Sequence, residues 1–349
     1  MTEGSTRVAV VGIGYWGPNI LRSLLSSSRC CVAWACDQKP GRLKFIKENF
    51  PTVPITDDYR EVIEDPSVKA IFLATPVSTH YDLARAALEA DKHVFIEKPL
   101  TVNTTLGRNL VGLAHDKGKI LFSGHVFVYH PAVTAMKRII KEGKLGRFCY
   151  VESSRVNSGP PATEVDVLWD LAAHDVSIVL HLLEMSPVEV SAHAARYLHS
   201  RLWDVAFIRL RFTGGIFSEH HISWLSPQKT RRFSVYGSEG SMIFDDTAEK
   251  EKLRVFGRGI DTRIGNTDTD AKELFYAPGQ VSVLELPAEQ PLLLECEHFL
   301  DCISNGVNPI TDGRLGLAVT EVLEAAKHSA DMQSSPVEIH ELSLASHNS

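Results

Sequence analysis

A glycine-rich turn that follows an apolar run near the start of the chain constrains the fold more than any other feature. Residues 8–11 read VAVV, and Gly12, Gly14 and Gly17 then complete the pattern G-x-G-x-x-G. A short apolar run of this kind is typical of a strand that is buried on both faces. Pro18 follows the last glycine, where the first turn of a helix tolerates a residue without an N–H group. The segment therefore predicts a strand, a tight turn and a helix.

The same turn predicts a dinucleotide site if an acid ends the next strand about twenty residues later. Asp37 ends the apolar segment CVAWAC and lies 20 residues after Gly17. In such a site Gly12 permits the turn, Gly14 admits a pyrophosphate and Gly17 lets helix and strand pack closely. The N–H groups of the helix N-terminus then face the phosphates. A carboxylate at position 37 accepts both ribose hydroxyls of NAD and repels the 2′-phosphate of NADP, so we expect NAD. The alternative is a tight turn without a ligand.

Further cofactor contacts are expected in two loops. Tyr15 and Trp16 lie inside the glycine turn, where they either line the nicotinamide pocket or simply pack. A later buried run, VKAIFLA, ends in a polar loop that contains Thr75, Pro76 and His80. The carboxyl ends of strands are where open α/β sheets hold their ligands. We therefore count this loop among the cofactor contacts.

The order of predicted strands and helices changes after residue 123, and this change predicts two domains. Strand and helix patterns alternate over residues 1–123, which indicates a Rossmann-type, doubly wound parallel sheet. Over residues 124–349 strands follow one another with short links, and this pattern predicts an α+β domain with a large, mostly antiparallel open sheet. At 349 residues the chain is also longer than one core usually supports.

Several elements of the second segment are predicted individually. Residues 166–184 form a long helix that begins at an aspartate cap, and Thr213-Gly214-Gly215 forms a hairpin turn. Residues 257–277 lack periodicity and read as a surface excursion, and residues 281–286 read as an edge strand. Residues 340–349 read as a loose tail.

Composition excludes several classes of function. The net charge of −7 gives no basic surface for nucleic acid. No apolar run is long enough to span a bilayer, and the N-terminus lacks the apolar segment of a signal peptide. The six cysteines form no C-x-x-C pair, so reduced structural thiols are expected rather than a metal site or disulfides. We expect a cytoplasmic protein without a nucleic-acid or membrane partner and without a metal.

Lys98 is the first candidate for chemistry. It stands in Glu97-Lys98-Pro99, directly after the predicted strand HVFIE. Pro99 keeps Lys98 out of helical geometry, and the carboxyl end of a parallel strand faces the cofactor crevice. A solvated lysine at a strand exit is the alternative. Glu97 either contacts a ribose hydroxyl or caps the loop.

Asp170 and His174 are the second candidates. Four residues apart on a helix, they are expected to share one face, where an aspartate raises the basicity of an imidazole and fixes its orientation. Such a pair suits a general base for a sugar or alcohol hydroxyl. The alternative is an ordinary surface pair.

Four more residues are candidate substrate contacts. His125 and Tyr129 open the second segment, where the chain leaves the nucleotide sheet, and are expected to border a cleft. Arg155 and Asn157 lie at the end of a predicted strand and could hold an anionic group. For each of these residues, structural packing is the alternative.

Taken together, five motifs resemble the glucose–fructose oxidoreductase, inositol dehydrogenase and MocA family over essentially the whole chain. They are GIGYWG, the aspartate at position 37, ATPVSTH, EKPL and WDLAAHD. The resemblance implies that Lys98 is the catalytic lysine, which lowers the pKa of the substrate hydroxyl. It also implies that His174 is the proton acceptor and that Asp170 accompanies it at the active-site floor. The family usually has a glycine between these two residues, whereas this chain has Leu171, Ala172 and Ala173.

Within the family, the segments GYWGPNI, GHVFVYHP and SSRVNSGP resemble members that act on nucleotide-linked amino sugars. The resemblance is greatest to UDP-N-acetylglucosamine 3-dehydrogenases. It implies NAD-dependent oxidation of the sugar 3-hydroxyl to a UDP-3-keto sugar, which an aminotransferase consumes in 2,3-diamino sugar and lipid A synthesis. Arg155 and Asn157 would contact the diphosphate or the sugar. The open sheet would be the surface of a homodimer or homotetramer.

Three alternatives stay open. A UDP-N-acetylglucosaminuronate 3-dehydrogenase would carry the same motifs, and so would a free sugar or inositol dehydrogenase. The third alternative belongs to another functional class: a regulator that binds NAD without catalysis. The presence of Lys98, Asp170 and His174 argues against it.

Overall fold

The structure of the protein is a computed structural model, which describes residues 5–159, 164–257, 260–261, 275–276 and 279–339. The tail predicted over 340–349 and most of the excursion predicted over 257–277 lie outside these residues.

The glycine turn opens a six-stranded parallel sheet, so the predicted doubly wound half of the chain is confirmed. The strand order is β3-β2-β1-β4-β5-β6, and the chain reverses its direction of winding between β1 and β4. That reversal creates the crevice in which open α/β sheets bind ligands. The strands are β1 (Thr6–Val11), β2 (Cys30–Cys36), β3 (Ile55–Thr56), β4 (Ala70–Leu73), β5 (His93–Glu97) and β6 (Leu121–Gly124). The helices of this half are α1 (Gly17–Ser26), α2 (Pro40–Asn49), α3 (Tyr59–Glu64), α4 (His80–Glu89) and α5 (Thr104–Asp116).

Both faces of this sheet are covered, which explains why its strands are apolar throughout. Successive side chains of a strand point to opposite faces. Val8 and Val10 accordingly pack in one core, and Ala9 and Val11 pack in the other.

The second sheet has nine strands in the order β16-β13-β12-β11-β7-β10-β9-β8-β17. Its neighbours are antiparallel except for the parallel pair of β7 and β10, so the predicted mostly antiparallel sheet is confirmed. The predicted turn at residues 213–215 joins β9 to β10, and the predicted edge strand is β16. The strands are β7 (Phe148–Ser158), β8 (Glu189–Ala195), β9 (Val205–Arg211), β10 (Phe217–Ser223), β11 (Leu225–Gly237), β12 (Gly240–Asp245), β13 (Leu253–Gly257), β16 (Val281–Leu284) and β17 (Val337–Glu338), with β14 (Ile260–Asp261) and β15 (Phe275–Tyr276) forming a separate pair.

Helices α6 (Pro131–Lys141), α7 (Ala173–Leu183) and α9 (Gly313–Asp331) contribute to the core of the second sheet, whereas α8 (Pro291–Asn305) returns to the first. Cys296 and Phe299 of α8 pack in the same core as Val8 and Phe95. Helix α9 contacts both α5 and β8, so it connects the two halves. The domain boundary at residues 123 and 124 stays a prediction.

The long helix predicted over residues 166–184 is interrupted at its start. Leu168–Ala172 form a π-helical turn, and the regular helix α7 begins only after it. The carboxylate of Asp166 accepts the N–H of Leu168 at 3.1 Å and so caps the turn, as expected of an aspartate there. A π turn carries more residues per turn than an α-helix, so it changes which side chains share a face.

Candidate active site

The glycine turn has the geometry that a dinucleotide requires. Gly12 has φ +91°, and a Cβ there would lie 2.7 Å from the backbone of Ala74. A Cβ on Gly17 would lie 2.0 Å from the carbonyl oxygen of Gly12. A Cβ on Gly14 would meet nothing within 4 Å, so this side of the turn is open. Two glycines therefore close the turn tightly, and the third leaves room for a phosphate.

Asp37 also holds the turn in place. One of its carboxylate oxygens accepts the N–H of Ile13 at 2.7 Å, and the other accepts the N–H of Lys39 at 2.8 Å. A carboxylate has about four acceptor sites, so lone pairs remain for ribose hydroxyls. Asp37 thus links β2 to the turn, a second role that the sequence pattern did not predict.

The loop after β4 is tied to the loop that follows Lys98. His80 is buried, and its ring nitrogens lie 3.0 Å from the carbonyl oxygens of Pro99 and Thr75. Burial lowers the pKa of His80, and the contacts with the backbone oxygens of Pro99 and Thr75 oppose that shift. Both nitrogens are engaged inside the protein, and this placement supports an indirect role for His80 rather than the predicted cofactor contact. Pro76 is exposed beside it.

Lys98 lies where β5 ends and reaches across to the second half of the chain. Its Nζ donates to the backbone oxygen of Asp170 at 2.7 Å and lies 3.4 Å from carboxylate Oδ1 of the same residue. The other carboxylate oxygen, Oδ2, accepts the indole N–H of Trp224 at 3.1 Å. Trp224 directly follows β10, and sequence reasoning missed it because a lone tryptophan after a strand carries no signal.

The expected contact between Asp170 and His174 is wrong. The carboxylate of Asp170 is held by Lys98 and Trp224 instead, and Asp170 lies within the π-helical turn rather than in the regular helix α7. The ring of His174 lies edge-on to Phe127 at 4.9 Å between centroids, and its Nδ1 has no hydrogen-bond partner among the described residues.

The predicted rise in the basicity of His174 is also wrong. Burial lowers the pKa of His174 well below its usual value, and the nearby cations Lys98 and Arg155 lower it further. His174 is therefore neutral at pH 7. A neutral imidazole can still accept a proton from a substrate hydroxyl, so the predicted role as proton acceptor stays a prediction with a different physical basis.

His125 is brought to the same place. It is fully buried, and neither ring nitrogen has a partner among the described residues. Burial, together with the charge of Lys98, lowers its pKa to about 3. Tyr129 points elsewhere: its hydroxyl lies 2.8 Å from His298 Nδ1 and 3.2 Å from Thr311 Oγ1. This placement in the core of the first sheet does not support its predicted substrate contact.

Arg155 packs against the same phenylalanine ring, Phe127, as His174 does. Its Nε and Nη2 donate to one oxygen of Asp175 at 2.9 and 2.8 Å, and its guanidinium lies 4.2 Å above the ring centroid of Phe127. Nη1 is buried and without a partner among the described residues. One donor group thus remains for a ligand. Asn157 lies near the end of β7 and is partly exposed.

Glu97 lies on the other side of Lys98. Its Oε2 accepts the N–H of Lys98 at 3.3 Å, and its Oε1 is buried and without a partner among the described residues. Burial raises the pKa of Glu97 to about 7. Tyr15 is 91% exposed, whereas Trp16 is partly buried. The indole N–H of Trp16 makes no hydrogen bond in the described part of the chain, but it lies near enough to the Glu97 carboxyl group to lower the pKa of Glu97 against the effect of burial.

These orphaned polar atoms test whether the residues fit a dinucleotide and a polar substrate. Buried polar atoms are normally hydrogen-bonded, so several unpartnered ones around Lys98 indicate groups that a ligand would meet. The open side of Gly14 lies above the same crevice. The residues therefore fit NAD. Across the described residues, no group of three or more His, Cys, Asp or Glu side chains is arranged to bind a metal ion.

The parallel sheet, its glycine turn and the lysine at the carboxyl end of β5 define an NAD-binding oxidoreductase with a second, sheet-rich half. The chain belongs to the glucose–fructose oxidoreductase, inositol dehydrogenase and MocA family. The family's NAD-binding Rossmann-fold model matches residues 6–125, and its C-terminal domain model matches residues 133–243. The protein is an NAD-dependent oxidoreductase, and its named relatives include dehydrogenases of polyols and sugars.

Individual relatives show how broad that class is. A scyllo-inositol 2-dehydrogenase (NAD(+)) from Bacillus subtilis (strain 168) is 27% identical over 88% of this chain and 89% of that protein. A UDP-N-acetylglucosamine 3-dehydrogenase from Acidithiobacillus ferrooxidans is 27% identical over 72% of this chain and 75% of that protein. A crystal structure of the Acidithiobacillus enzyme superposes with a TM-score of 0.81 over 95% of this chain and 99% of that one, at 22% identity, and so shares the fold.

In the part of the chain that the structure describes, no helix has the length and apolar character needed to cross a bilayer.

Proposed function

We propose that the protein oxidises the 3-hydroxyl of a UDP-linked amino sugar, UDP-N-acetylglucosamine, to the UDP-3-keto sugar with NAD. The catalytic roles in this proposal are supported by the contact of Lys98 with Asp170 and by the neutral state of His174. The choice of substrate is supported by the motifs around residues 124–131 and 153–160 and by the relative that acts on UDP-N-acetylglucosamine.

In this mechanism Lys98 donates a hydrogen bond to the oxygen of the substrate hydroxyl and stabilises the negative charge that develops there. His174 accepts the hydroxyl proton, which a neutral imidazole can do at pH 7. Asp170 fixes the Lys98 side chain through two oxygens and is itself held by Trp224. NAD, when bound, supplies the hydride acceptor.

We assign substrate contacts to side chains that still have a free hydrogen-bonding group. Arg155 Nη1 is the donor left over beside Asp175, and Asn157 lies at the open end of β7. We assign these two residues to the diphosphate or the sugar. His125 presents a neutral ring to the same region.

The second candidate function is the oxidation of a free polyol such as an inositol. The inositol dehydrogenase relative matches a larger share of this chain than the UDP-sugar relative does. The same Lys98 and His174 would act on either substrate. The uronate form of the UDP-sugar is a further variant of the first proposal.

The exposed face of the second sheet suits a homodimer or homotetramer. Tyr150 stacks on Tyr236 with centroids 4.3 Å apart and on Phe217 with centroids 5.4 Å apart. Phe207, which is 52% exposed, stacks on His221 on the same sheet. Tyr150, Phe217 and Tyr236 are half-buried, and apolar side chains that remain accessible on a sheet face suit an interaction surface. A 3-keto product would pass to an aminotransferase, because its new carbonyl is the substrate of that class of enzyme.

The test measures NADH absorbance with purified protein, NAD and four substrates in parallel: UDP-N-acetylglucosamine, its uronate, glucose and myo-inositol, each with a carbonyl trap. We expect turnover with UDP-N-acetylglucosamine, and its loss in Lys98→Ala. The matched control is Lys44→Ala, which removes a lysine whose side chain is 78% exposed on α2. Turnover with myo-inositol or glucose instead would favour the second candidate. If the protein turns over none of the four substrates but still binds NAD, the result would favour a non-catalytic NAD-binding regulator.

A further inference from the structure

A buried network of hydrogen bonds in the second half of the protein ends at Arg155, and the proposed mechanism uses only that last member. The ring of His220 lies between two serines: its Nε2 is 2.9 Å from Ser218 Oγ, and its Nδ1 is 2.7 Å from Ser153 Oγ. Ser153 Oγ donates to Asp175 Oδ2 at 2.9 Å, and Asp175 Oδ1 accepts two N–H groups of Arg155. All five residues are buried. Paired polar groups in a dry interior fix one another's positions.

The register of the second sheet brings the members of this network together. His220 of β10 lies opposite Ser153 in the parallel ladder with β7. Arg155 lies two positions after Ser153 and so on the same face of β7. That face packs on α7, which carries Asp175 directly after His174. The network therefore connects the strands to the helical turn that presents His174.

The hydrogen atoms of the network have one consistent order. Asp175, which accepts two N–H groups of Arg155, is the charged carboxylate and can only accept. Ser153 spends its single hydroxyl hydrogen on Asp175, so it accepts in its contact with His220, and Nδ1 carries the hydrogen. Burial lowers the pKa of His220 to about 4 against the opposing effect of Asp175, so the ring is neutral at pH 7. Nε2 then accepts the hydroxyl of Ser218.

This order distinguishes the network from a nucleophilic triad of the same residue types. In a nucleophilic triad the histidine lies between the serine and the carboxylate and takes the hydroxyl proton. Here Ser153 lies between His220 and Asp175, and its proton points to the acid. The arrangement therefore holds Asp175 in place and does not activate Ser153.

Arg155 needs a firmly held carboxylate because a second arginine lies beside it. Arg231 of β11 is opposite Arg155 in the register with β7, and like charges in opposite positions repel each other. Their guanidinium carbons lie 4.2 Å (Arg155) and 5.8 Å (Arg231) from the ring centroid of Phe127. Arg231 Nη1 lies 3.4 Å from its own carboxylate, Asp246. The position of Asp175 therefore decides where the guanidinium of Arg155 lies.

We propose that His220 and Ser153 are positioning residues for Arg155. The Nδ1–H group of His220 orients the Ser153 hydroxyl, which holds Asp175 where it binds the guanidinium. Nη1 of Arg155, which has no partner among the described residues, then stays directed at an oxygen of the substrate. The proposal rests on the assignment of Arg155 to the substrate under the proposed function.

The first experiment compares His220→Gln with His220→Asn in steady-state kinetics on the substrate that the wild type turns over. An asparagine amide places its N–H near the position of Nδ1 and keeps the bond to Ser153, whereas a glutamine amide reaches the position of Nε2 and loses that bond. We expect KM to rise about three- to tenfold in His220→Gln, the loss of one hydrogen bond, and to stay within about twofold of wild type in His220→Asn. In both variants kcat is expected to change less than about twofold.

A merely structural role predicts the opposite order. Asparagine is smaller than glutamine and leaves the larger cavity in place of the buried ring, so damage from lost packing would be greater in His220→Asn. Equal KM values in the two variants, or the higher value in His220→Asn, would overturn the proposal.

Ser153→Ala interrupts the network at its centre and is expected to raise KM as His220→Gln does. The double variant Ser153→Ala/His220→Gln should raise KM no further than Ser153→Ala alone, because residues of one network are not additive. Independent, multiplying effects would overturn the proposal. Ser329→Ala is the matched control: Ser329 is also buried in the second half, donates to the backbone oxygen of Ser335 at 2.7 Å and accepts the N–H of Ala192 at 2.9 Å. Its KM should equal that of wild type.

A second readout needs neither cofactor nor substrate. The ¹⁵N NMR spectrum of the histidine rings at pH 7 shows which ring nitrogen carries hydrogen, and the signals of His220 are those that disappear in His220→Asn. We expect a protonated Nδ1 and an unprotonated Nε2. A proton on Nε2, or on both nitrogens, would overturn the ordered network.

The two readouts separate this proposal from the proposed function. If the wild type turns over none of the substrates, the proposed function is overturned, and the NMR spectrum still decides the order of the network. If Nδ1 is protonated but KM is unchanged in both His220→Gln and Ser153→Ala, the link from the network to substrate binding through Arg155 is overturned.

Discussion

Lys98 Nζ lies 2.7 Å from the backbone oxygen of Asp170, although the two residues belong to different halves of the chain and are separated by 72 positions in the sequence. This contact joins the carboxyl end of β5 to the π-helical turn at Leu168–Ala172. The dinucleotide crevice and the second half of the chain thus meet at one ammonium group. Residues that fix Asp170 are therefore expected to affect catalysis without contacting the substrate.

Trp224→Phe is the direct test of that expectation. The change keeps most of the ring but removes the N–H that Asp170 Oδ2 accepts at 3.1 Å. A hydrogen bond to a charged group is worth about 1.5–3 kcal/mol, so we expect kcat/KM to fall at least about tenfold with little change in NAD affinity. Steady-state kinetics and NAD titration measure both.

Trp34→Phe is the matched control for this variant. Its indole N–H donates to Asp65 at 2.9 Å, on β2 and outside the site. It removes a comparable bond, and kcat/KM should stay within about twofold of wild type. Equal losses of activity in the two variants would show that Trp224 acts through stability alone.

The pH dependence of the reaction tests the neutral state of His174. Burial and the neighbouring cations lower the pKa of His174 well below its usual value, so the ring is already deprotonated when pH rises through 6.5. We expect kcat/KM to show no acid limb from this residue near pH 6.5. An acid limb there that disappears in His174→Gln would contradict the assignment.

His174→Gln should also lower kcat/KM by about 10²–10⁴, the usual contribution of a positioned acid–base group. His193→Gln, an exposed position on β8, is the control. A wild-type rate in His174→Gln would transfer the role of proton acceptor to another group.

The site residues that could be predicted are those whose sequence patterns span only a few neighbouring positions. The glycine turn, Asp37 and the strand before Lys98 are short-range patterns, and each was placed correctly from the sequence. The contacts of Asp170 were not, because its carboxylate is held by Lys98 and Trp224, which lie far from it in the sequence.

Trp224 shows a different limit. It reaches Asp170 from the end of a distant strand, through packing that no spacing along the chain reveals. Likewise, nothing in the sequence signals that α8, which follows the second sheet in the chain, returns to pack on the first sheet. Long-range packing therefore decides which polar residues serve a site.

Asp37→Ala tests cofactor choice. The carboxylate holds the Ile13 N–H at 2.7 Å, so its loss should loosen the turn and weaken NAD binding. It should also remove the repulsion of a 2′-phosphate, so the ratio of the NAD to the NADP affinity is expected to fall about tenfold or more. Asp57→Ala, an exposed acid nearby, is the control. An unchanged ratio would show that Asp37 fixes the turn without selecting the cofactor.

His125→Phe tests the cost of keeping a buried neutral imidazole beside Lys98. The pKa of His125 falls from 6.5 to about 3 on folding, so the unfolded chain binds more protons throughout that window. Its contribution to stability is therefore present above pH 6.5 and is lost as pH falls, at roughly 1.4 kcal/mol per unit. Relative to wild type, the unfolding free energy of His125→Phe is expected to gain about 2 kcal/mol between pH 7 and pH 5. Denaturant titrations at the two pH values measure this gain, and His115→Phe, whose side chain is 81% exposed, should show none. If His125→Phe shows none either, His125 keeps its ordinary pKa in the folded state, and Lys98 then has a second cation beside it below about pH 6.5.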